Sequence, residues 1–458
     1  KKKKNMSDII SLFKIFPIGQ NIVKYLDKDT FNTLLGVGGQ CADIYYAYQQ
    51  ELALGQYNDE LVSKYRCIQT LKLHDWTQTE TIPTDKLSVL VTLEVPVIDT
   101  DIINLRRCER LKTLKCKHLV NLSREDFPRG LKEIDCSLSS LTDDATVNNF
   151  PKTLERLFLC VCRTISSFNI HHLGSLKLMD CSLSSITDVA LNNLPASLET
   201  IKLIGCANIA SFNIRHLVNL KQIDCRKSSI ADEAINNLPE SLETINLTEC
   251  TNISSFNIHH LVNLKEIDVS KSPITDTAID SFPDSVEKID FTQCRNMGNF
   301  NIRHLVHLKQ IVCSQSRITN AAVNRFPKSL EIIHLSDCYN ISTFDISHLV
   351  KLKKIFFYQT PIHDSSINTF PPSVDEISFC SSQTIRNFNI SHLTNLKTMQ
   401  VSYSSLTNTA LNSFPKSLET VHMYKCRSAL NFSIQHLANL KSINCQLHSI
   451  SDDTNTLI

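Results

Sequence analysis

Cysteine, aspartate and histidine recur along this chain at a fixed interval of 44 residues, and these side chains bind metals or move protons. The cysteine column comprises Cys162, Cys206, Cys250, Cys294, Cys338 and Cys426, with Ser382 in place of one cysteine. An acid or amide column comprises Asp188, Asp232, Asp276, Asn320, Asp364 and Asn408. A histidine column comprises His172, His216, His260, His304, His348, His392 and His436. Zinc or calcium binding, acid/base catalysis and pH sensing are the chemistries that such columns could support.

The spacing of these columns favours packing over chemistry. Members of one column lie two repeats apart, which is roughly 10 Å in a stack of strands, too far to share one zinc ion. We therefore predict that the cysteines fill a buried turn and that the histidines bond to a neighbouring turn. The Asp and Asn residues precede short apolar segments, which predicts helix N-caps. The sequence also lacks a Gly-rich phosphate loop, regular zinc-ligand pairs and a Gly-x-Ser-x-Gly elbow, so we predict no catalytic residue, no metal and no cofactor.

A repeat of 22 residues sets the position of every column. Each repeat opens with Leu-x-x-Ile-x-Leu or a close variant, and regular copies begin at Leu154, Leu176, Leu198, Leu220, Leu242, Leu264, Val286, Leu308, Leu330, Leu352, Val374, Leu396, Leu418 and Leu440. Looser copies begin at Ile68, Leu90, Leu111 and Leu131, which brings the total to about eighteen repeats. Strand alternation sends Ile201 and Leu203 inward and Lys202 outward. One repeat cannot bury its apolar face alone, so neighbouring repeats must stack into one continuous core.

This period and pattern resemble the leucine-rich repeat. The cysteine column, together with Ser-x-Ile-Thr-Asp segments such as Ser185 to Asp188, is similar to the cysteine-containing subclass of that repeat found in F-box proteins. The resemblance implies an α/β fold class, a leucine-rich-repeat solenoid over residues 68–458 in which a parallel sheet lines a horseshoe. Its irregular first repeats suit a terminal cap.

Residues 7–67 lack the repeat and are predicted to form helices over residues 7–14, 19–25, 30–36 and 41–57, followed by a linker. The segment over roughly residues 14–50 resembles the F-box, a small all-α module, in the order and spacing of Phe-Pro, Tyr-Leu-Asp and Asp-x-Phe. It departs from that pattern because Phe16 replaces a Leu, and because glycines at positions 36, 38 and 39 interrupt a segment that normally carries Trp. The alternative is an amphipathic helical cap that shields the open edge of the first repeat. Residues 1–6 resemble a tag and are excluded from the fold prediction.

The resemblance implies a protein partner for each part of the chain. An F-box docks onto the Skp-type adaptor of a cullin ubiquitin ligase, and the matching apolar residues are Phe16, Pro17, Ile22, Tyr25, Leu26, Phe31 and Leu34. The repeats would then hold the substrate protein of the ligase. The alternative function is a leucine-rich-repeat interaction protein without ligase coupling, which could be a structural scaffold, an effector or an enzyme regulator.

Strand parity identifies the side chains on the concave sheet face, the default surface for recognition. The candidate protein-binding residues are Asp180, Asp224, Asp268, Asp290, His334, Phe356, Tyr358, Tyr403, His422 and Tyr424. The aspartates form a stripe that would attract a basic segment of a partner, or would simply keep the face soluble. The aromatic residues have no core to fill on that face, so we predict that they bind a protein.

Composition narrows the partners and the compartment. Lys and Arg total 47 against 46 Asp and Glu, so no overall basic charge predicts nucleic acid or an anionic membrane as a partner. No apolar run reaches the length of a membrane helix, and the segment after Met6 lacks the features of a secretion signal, which predicts an intracellular protein of the cytoplasm or nucleus. The 17 cysteines follow the repeat, so we expect reduced thiols. Apart from its partners, we expect a monomer.

Overall fold

The computed structural model describes residues 50–55, 57–65, 67–74, 87–99, 104–426 and 435–446. The chain forms two compact units, residues 1–202 (unit 1) and residues 203–458 (unit 2). Within each unit short parallel strands follow one another, and each strand pairs with the next one along the chain.

Unit 1 contains eight strands in its described part. They are β1 (Glu51–Leu54), β2 (Thr70–Leu73), β3 (Thr92–Asp99), β4 (Thr113–Val120), β5 (Glu133–Asp135), β6 (Arg156–Phe158), β7 (Leu178–Asp180) and β8 (Thr200–Lys202). Equivalent residues of successive repeats stand opposite one another, as Asp135 on β5 and Phe158 on β6 do. This register carries each sequence column straight across the sheet.

Unit 2 continues the same pattern with eleven described strands. They are β9 (Gln222–Asp224), β10 (Thr244–Asn246), β11 (Glu266–Asp268), β12 (Lys288–Asp290), β13 (Gln310–Val312), β14 (Ile332–His334), β15 (Lys354–Phe356), β16 (Glu376–Ser378), β17 (Thr398–Gln400), β18 (Thr420–Tyr424) and β19 (Ser442–Gln446). Their register again aligns equivalent residues, as with His334 and Phe356 on β14 and β15.

Short helices follow alternate strands and close the outer side of those repeats. They are α1 (Asp59–Lys64), α2 (Asp144–Asn148), α3 (Asp188–Asn192), α4 (Asp232–Asn236), α5 (Asp276–Asp280), α6 (Asn320–Val323), α7 (Asp364–Ile367) and α8 (Asn408–Asn412), with 3-10 turns at Leu105–Arg107 and Arg124–Asp126. None of the described helices has the length and apolar character to cross a membrane.

The prediction of one strand per repeat is confirmed. The strands β2 to β19 each begin two residues after the predicted start of a repeat, from Ile68 to Leu440. The inward and outward alternation is also as predicted, because Ile201 is buried between the half-buried Thr200 and Lys202. Inward Leu, Ile and Cys side chains therefore form the core, and every outward side chain lies on the exposed sheet face.

The helix predicted over residues 41–57 is wrong at its C-terminal end. Residues Glu51–Leu54 form a strand instead, and β1 pairs in parallel with β2 ahead of the predicted first repeat at Ile68. Its Leu52 is buried while Glu51 and Ala53 are exposed. Tertiary pairing overrides the helix preference of Glu, Leu and Ala here, because β1 supplies backbone partners for the edge of β2.

Phenylalanine columns fill the space behind the sheet. The side chains of Phe282, Phe291 and Phe300 are fully buried, with ring centroids 6.0 and 5.6 Å apart in that order. A second cluster surrounds Phe357, whose ring lies 6.0 Å from the rings of both Phe370 and Phe379. Rings at these separations add to the free energy that their area burial contributes to folding.

Candidate protein-binding surface

The cysteine column packs in buried turns, as predicted. The Sγ of Cys250 lies 3.0 Å from the carbonyl oxygen of Cys225, and the Sγ of Cys338 lies 3.0 Å from that of Cys313. Burial raises the pKa of both Cys250 and Cys338 to about 11. These thiols therefore stay protonated at neutral pH and can donate a weak hydrogen bond to the preceding repeat.

The histidine column bonds to neighbouring turns, which confirms its predicted structural role. The Nε2 of His304 lies 2.9 Å from the carbonyl oxygen of Phe282, and the same contact joins His348 to Phe326 at 3.0 Å. His172, His260 and His392 make the same contact, so these rings hold the turn of the preceding repeat, whereas the Nε2 of His436 is buried without a partner among the described residues. Within the described residues, no three His, Cys, Asp or Glu side chains are grouped so that they could hold a metal ion.

The N-cap role predicted for the Asp and Asn column is wrong. Asp232 is the first residue of α4, and the N-cap position belongs to Ala231, whose methyl side chain cannot accept a hydrogen bond. The Asp232 carboxylate instead accepts the backbone N–H groups of Ser254 and Ser255 in the next repeat, at 2.7 and 3.0 Å. A carboxylate has two oxygens and can bind two donors, and Asp276 and Asp364 make the same pair of contacts, so these aspartates join their repeats to the next ones.

The aspartates predicted on the sheet face are present, but each has a local structural task. Their Oδ1 atoms accept the backbone N–H two residues further on, over 3.0 Å for Asp180, 3.2 Å for Asp224, 2.9 Å for Asp268 and 2.8 Å for Asp290. These bonds shape the turn that follows each strand. Asp224 also forms an ion pair with Arg226 at 2.8 Å. Part of the predicted acidic stripe is therefore neutralised by the chain itself.

Three of the predicted aromatic residues form one cluster, which we call the aromatic platform: His334, Phe356 and Tyr358. The rings of His334 and Phe356 stack on adjacent strands, with centroids 4.5 Å apart and planes 11° apart. Burial lowers the pKa of His334, and the charges of Asp290 and Glu376 oppose this effect. A neutral imidazole stacked on Phe356 presents a mainly apolar surface to a partner. The side chain of Tyr358 is 45% exposed in the turn that follows β15.

The predicted Tyr403 and Tyr424 lie in a second group, which we call the tyrosine cluster and which also includes Lys425. The two tyrosine rings meet edge to face with centroids 5.5 Å apart, and Tyr403 is 50% exposed. The Nζ of Lys425 lies 5.8 and 5.3 Å from the two ring centroids, in cation–π range. His422 lies half-buried on β18 beside this cluster. Phe356 on β15 and His422 on β18 are three strands apart, about 14 Å, so the predicted patch comprises two clusters on one face.

Sequence reasoning missed a ladder of ion pairs along the N-terminal ends of the strands. Glu243 lies 4.0 Å from Lys221 on one side and 3.0 Å from Lys265 on the other, and Glu331 lies 2.6 Å from Lys353. The signal was available in the sequence, because Lys alternates with Glu, or once with Asp375, at 22-residue intervals from Glu155 to Lys441. Lys425 was also missed, because a lysine next to a tyrosine does not reveal its position over the ring.

The seven residues predicted to bind a Skp-type adaptor, from Phe16 to Leu34, lie outside the described residues. The prediction of adaptor binding by these residues therefore stays a prediction. The ten predicted protein-binding residues are all described, and the structure places each of them on the outward side of the sheet or in the turn that follows it.

No family model matches this sequence, and no curated protein matches it either. Among solved structures, the functional domain of InlJ from Listeria monocytogenes, described as including a cysteine ladder, is similar to 76% of this chain over 76% of its own length, with a TM-score of 0.50 and 14% identity. An internalin, InlF from Listeria monocytogenes strain 4b F2365, matches 68% of this chain over 91% of its own length, with a TM-score of 0.48 and 16% identity. Because the identity is only 14%, the similarity to InlJ concerns the fold alone. The parallel sheet, the repeat and this likeness together show that the chain has the leucine-rich-repeat fold.

Proposed function

We propose that this chain is a non-enzymatic scaffold that binds a protein partner on the sheet face of unit 2. The observation that carries the proposal is the aromatic platform. Phe356 lies on the outward side of the sheet and Tyr358 lies in the turn that follows, whereas the inward side holds the core. Neither ring is therefore part of the hydrophobic core. Rings held in place by neighbours lose little conformational freedom on binding, which is why they dominate the energetics of protein interfaces.

Two features of the surface support a protein over a small molecule. The platform lies on β14 and β15 and in the turn after β15, and the tyrosine cluster lies in the turn after β17 and at the end of β18, so a partner that contacts both spans several repeats. The half-buried strands β16 and β17 between them carry the small or polar Ser378 and Gln400. Apolar contacts accompanied by polar ones are typical of protein interfaces.

The test is the double substitution of Phe356→Ala and Tyr358→Ala. Proteins that co-purify with the wild-type chain from its source cells are identified, and the affinity of the purified partner is then measured by calorimetry. We expect affinity to fall by at least about tenfold, since two interface rings are removed. The matched control is Ser378→Ala with Gln400→Ala, which removes the neighbouring polar groups. Unchanged affinity in the aromatic variant, with a stable fold, would contradict the placement.

A finer proposal concerns residues 7–67. We infer from their F-box resemblance that the scaffold serves as the substrate-recognition subunit of a Skp–cullin–F-box ubiquitin ligase. The support is the sequence pattern from Phe16 to Phe31 alone. Co-purification of the full chain with a Skp-type adaptor, and its loss on Pro17→Ala with Leu26→Ala, is the expected result. Absence of adaptor binding would leave a scaffold without ligase coupling, whether structural, an effector or an enzyme regulator.

A further inference from the structure

An exposed row of aliphatic side chains lies in unit 1, in the turns that follow β5, β6 and β7. Leu138 and Leu183 are 61% and 58% exposed, and Val161 between them is half-buried. All three have left-handed backbone, with φ of 66°, 59° and 57° for Leu138, Val161 and Leu183. The equivalent position in later repeats carries Gly205, Lys227, Glu249, Lys271, Gln293, Gln315, Asp337, Gln359, Ser381, Tyr403 and Lys425.

All three residues have an unfavourable backbone conformation, and the two leucines are also exposed. Left-handed backbone disfavours residues with a Cβ, and most of all a β-branched one such as Val161. Exposure places two leucine side chains in water, where they add nothing to the core. Polar residues and glycine satisfy the same turn in later repeats, so the turn itself does not require an aliphatic residue. Strain at an exposed apolar position points to a role outside the fold.

The row is held together by the backbone of successive repeats. The N–H of Leu138 donates to the carbonyl of Cys160 at 2.7 Å, and the N–H of Val161 donates to that of Ser182 at 2.8 Å. Three adjacent repeats therefore present their aliphatic side chains over a span of roughly 10 Å. Cys160 is half-buried beside them, and burial raises its pKa to about 12. Its neutral thiol extends the apolar area.

An aromatic ring between two carboxylates borders this row. Phe158 is half-buried at the C-terminal end of β6, and the register places Asp135 of β5 and Asp180 of β7 directly opposite it on either side. A cation above the ring would gain a cation–π contact and would stand within reach of both carboxylates. Lys202 lies 3.9 Å from the Asp180 carboxylate, at the outer limit of an ion pair, and is 44% exposed, so it can swing aside for an incoming cation.

We propose that this surface of unit 1, comprising Leu138, Phe158, Val161 and Leu183 with Asp135 and Asp180, binds a segment of a partner protein in which Arg or Lys stands next to apolar residues. The basic side chain lies over Phe158 between the two aspartates, and the apolar side chains cover the aliphatic row. The two carboxylates flank Phe158 directly, whereas Lys115 and Lys202 stand one strand further out, so the charge nearest the ring favours this occupant over an acidic apolar segment. The site is separate from the surface of unit 2 and does not depend on its function.

The probe is a fluorescein-labelled peptide, Gly-Leu-Arg-Leu-Arg-Leu-Gly, titrated with the full chain and followed by fluorescence anisotropy. Two matched peptides replace either both Arg by Glu or all Leu by Ser. We expect saturable binding of the Leu and Arg peptide, and binding at least about tenfold weaker for each of the other two, because one half of the recognition is lost. Equal binding of the Glu peptide, or no saturable binding of the first, would overturn the proposal.

Three variants locate the binding. Phe158→Ala and Leu183→Ser each weaken the Leu and Arg peptide by about tenfold. Asp180→Asn weakens it too without loss of the turn, since Asn246 at the equivalent position of β10 accepts the same backbone bond at 3.0 Å. The control Val262→Ser, at a valine that is 60% exposed in unit 2, leaves binding unchanged. Peptide binding that survives Phe158→Ala and Leu183→Ser would refute the site.

Sedimentation tests whether a second copy of the chain occupies this surface. A wild-type dimer that becomes a monomer on Leu183→Ser, in the absence of peptide binding, would assign the surface to self-association and overturn the proposal.

Discussion

The sheet faces of the two units share one backbone and differ in side-chain chemistry. In unit 1 the central outward positions place Phe158 between two aspartates, and the following turns carry aliphatic residues. In unit 2 the same positions carry aspartates on β9, β11 and β12 and then the stacked rings of His334 and Phe356, and Tyr403 occupies the same left-handed turn position as Leu183. Inward positions are apolar in both units. The repeat therefore determines where a side chain points, and the outward columns are free to specify different partners on one scaffold.

The largest effect we expect separates the inward from the outward side of one strand. Phe357 is fully buried against the rings of Phe344 and Phe370, whereas its neighbour Phe356 lies half-buried on the outward face. Phe357→Ala should lower the free energy of unfolding by about 3–5 kcal/mol through the cavity it leaves. Phe356→Ala should cost about 1 kcal/mol. Urea denaturation followed by circular dichroism measures both, and equal losses would contradict the assignment of the two faces.

The next effect concerns the carboxylates that join successive repeats. Asp276 accepts the N–H groups of Gly298 and Asn299 at 2.7 and 3.0 Å. Asp276→Ala leaves both donors without this acceptor and should cost about 1–3 kcal/mol of unfolding free energy. Asp276→Asn should cost less, because Asn320 already bonds the N–H of Ser342 at 2.8 Å in the equivalent place. If both variants matched the wild type in urea, the column would have no role in joining repeats.

A smaller effect of opposite sign should distinguish the turns of unit 1. Val161→Asn replaces a β-branched residue at φ 59° by one that tolerates left-handed backbone, and it should raise the unfolding free energy by about 0.5–1 kcal/mol. The control Gln293→Asn, at φ 62°, should change stability much less because glutamine is not β-branched. Thermal and urea unfolding compare each of the two variants with the wild type. A destabilised Val161→Asn protein would mean that Val161 stabilises the turn, which would remove the argument from strain.

The smallest effect belongs to the lysine and glutamate ladder. A hydrogen bond and the charge of Lys265 lower the pKa of Glu243 below its usual 4.5. A carboxyl whose pKa is lower in the folded state stabilises the fold above its unfolded pKa, and this contribution disappears as pH falls through the folded value. Glu243→Gln should therefore be slightly less stable than the wild type at pH 7 in low salt. The difference should shrink as pH falls below 4.5 and vanish below the folded pKa of Glu243. High salt should also remove it, because the pair is exposed and its charges are screened.

Strand alternation predicted most residues of the candidate surface, and the wrong predictions have one common cause. Phe356, Tyr358 and Tyr403 were predicted on the outward face because strand alternation alone decides that property. The Asp232 column was misassigned because capping was inferred from neighbours along the chain, whereas its partners, Ser254 and Ser255, belong to the next repeat. β1 was predicted as helix for the same reason, since its pairing with β2 bridges residues outside any local window.

The sequence by itself determined the repeat, the strand in each copy and the side to which each strand residue points, because a 22-residue period and alternation are local properties. Only the tertiary structure decided which outward residues meet. Stacking brings His334 onto Phe356, Lys425 onto two tyrosines and Phe158 between two aspartates. It also revealed the left-handed backbone under Leu138, Val161 and Leu183. The geometry of such contacts depends on register and rotamers across repeats, which a one-dimensional pattern does not contain.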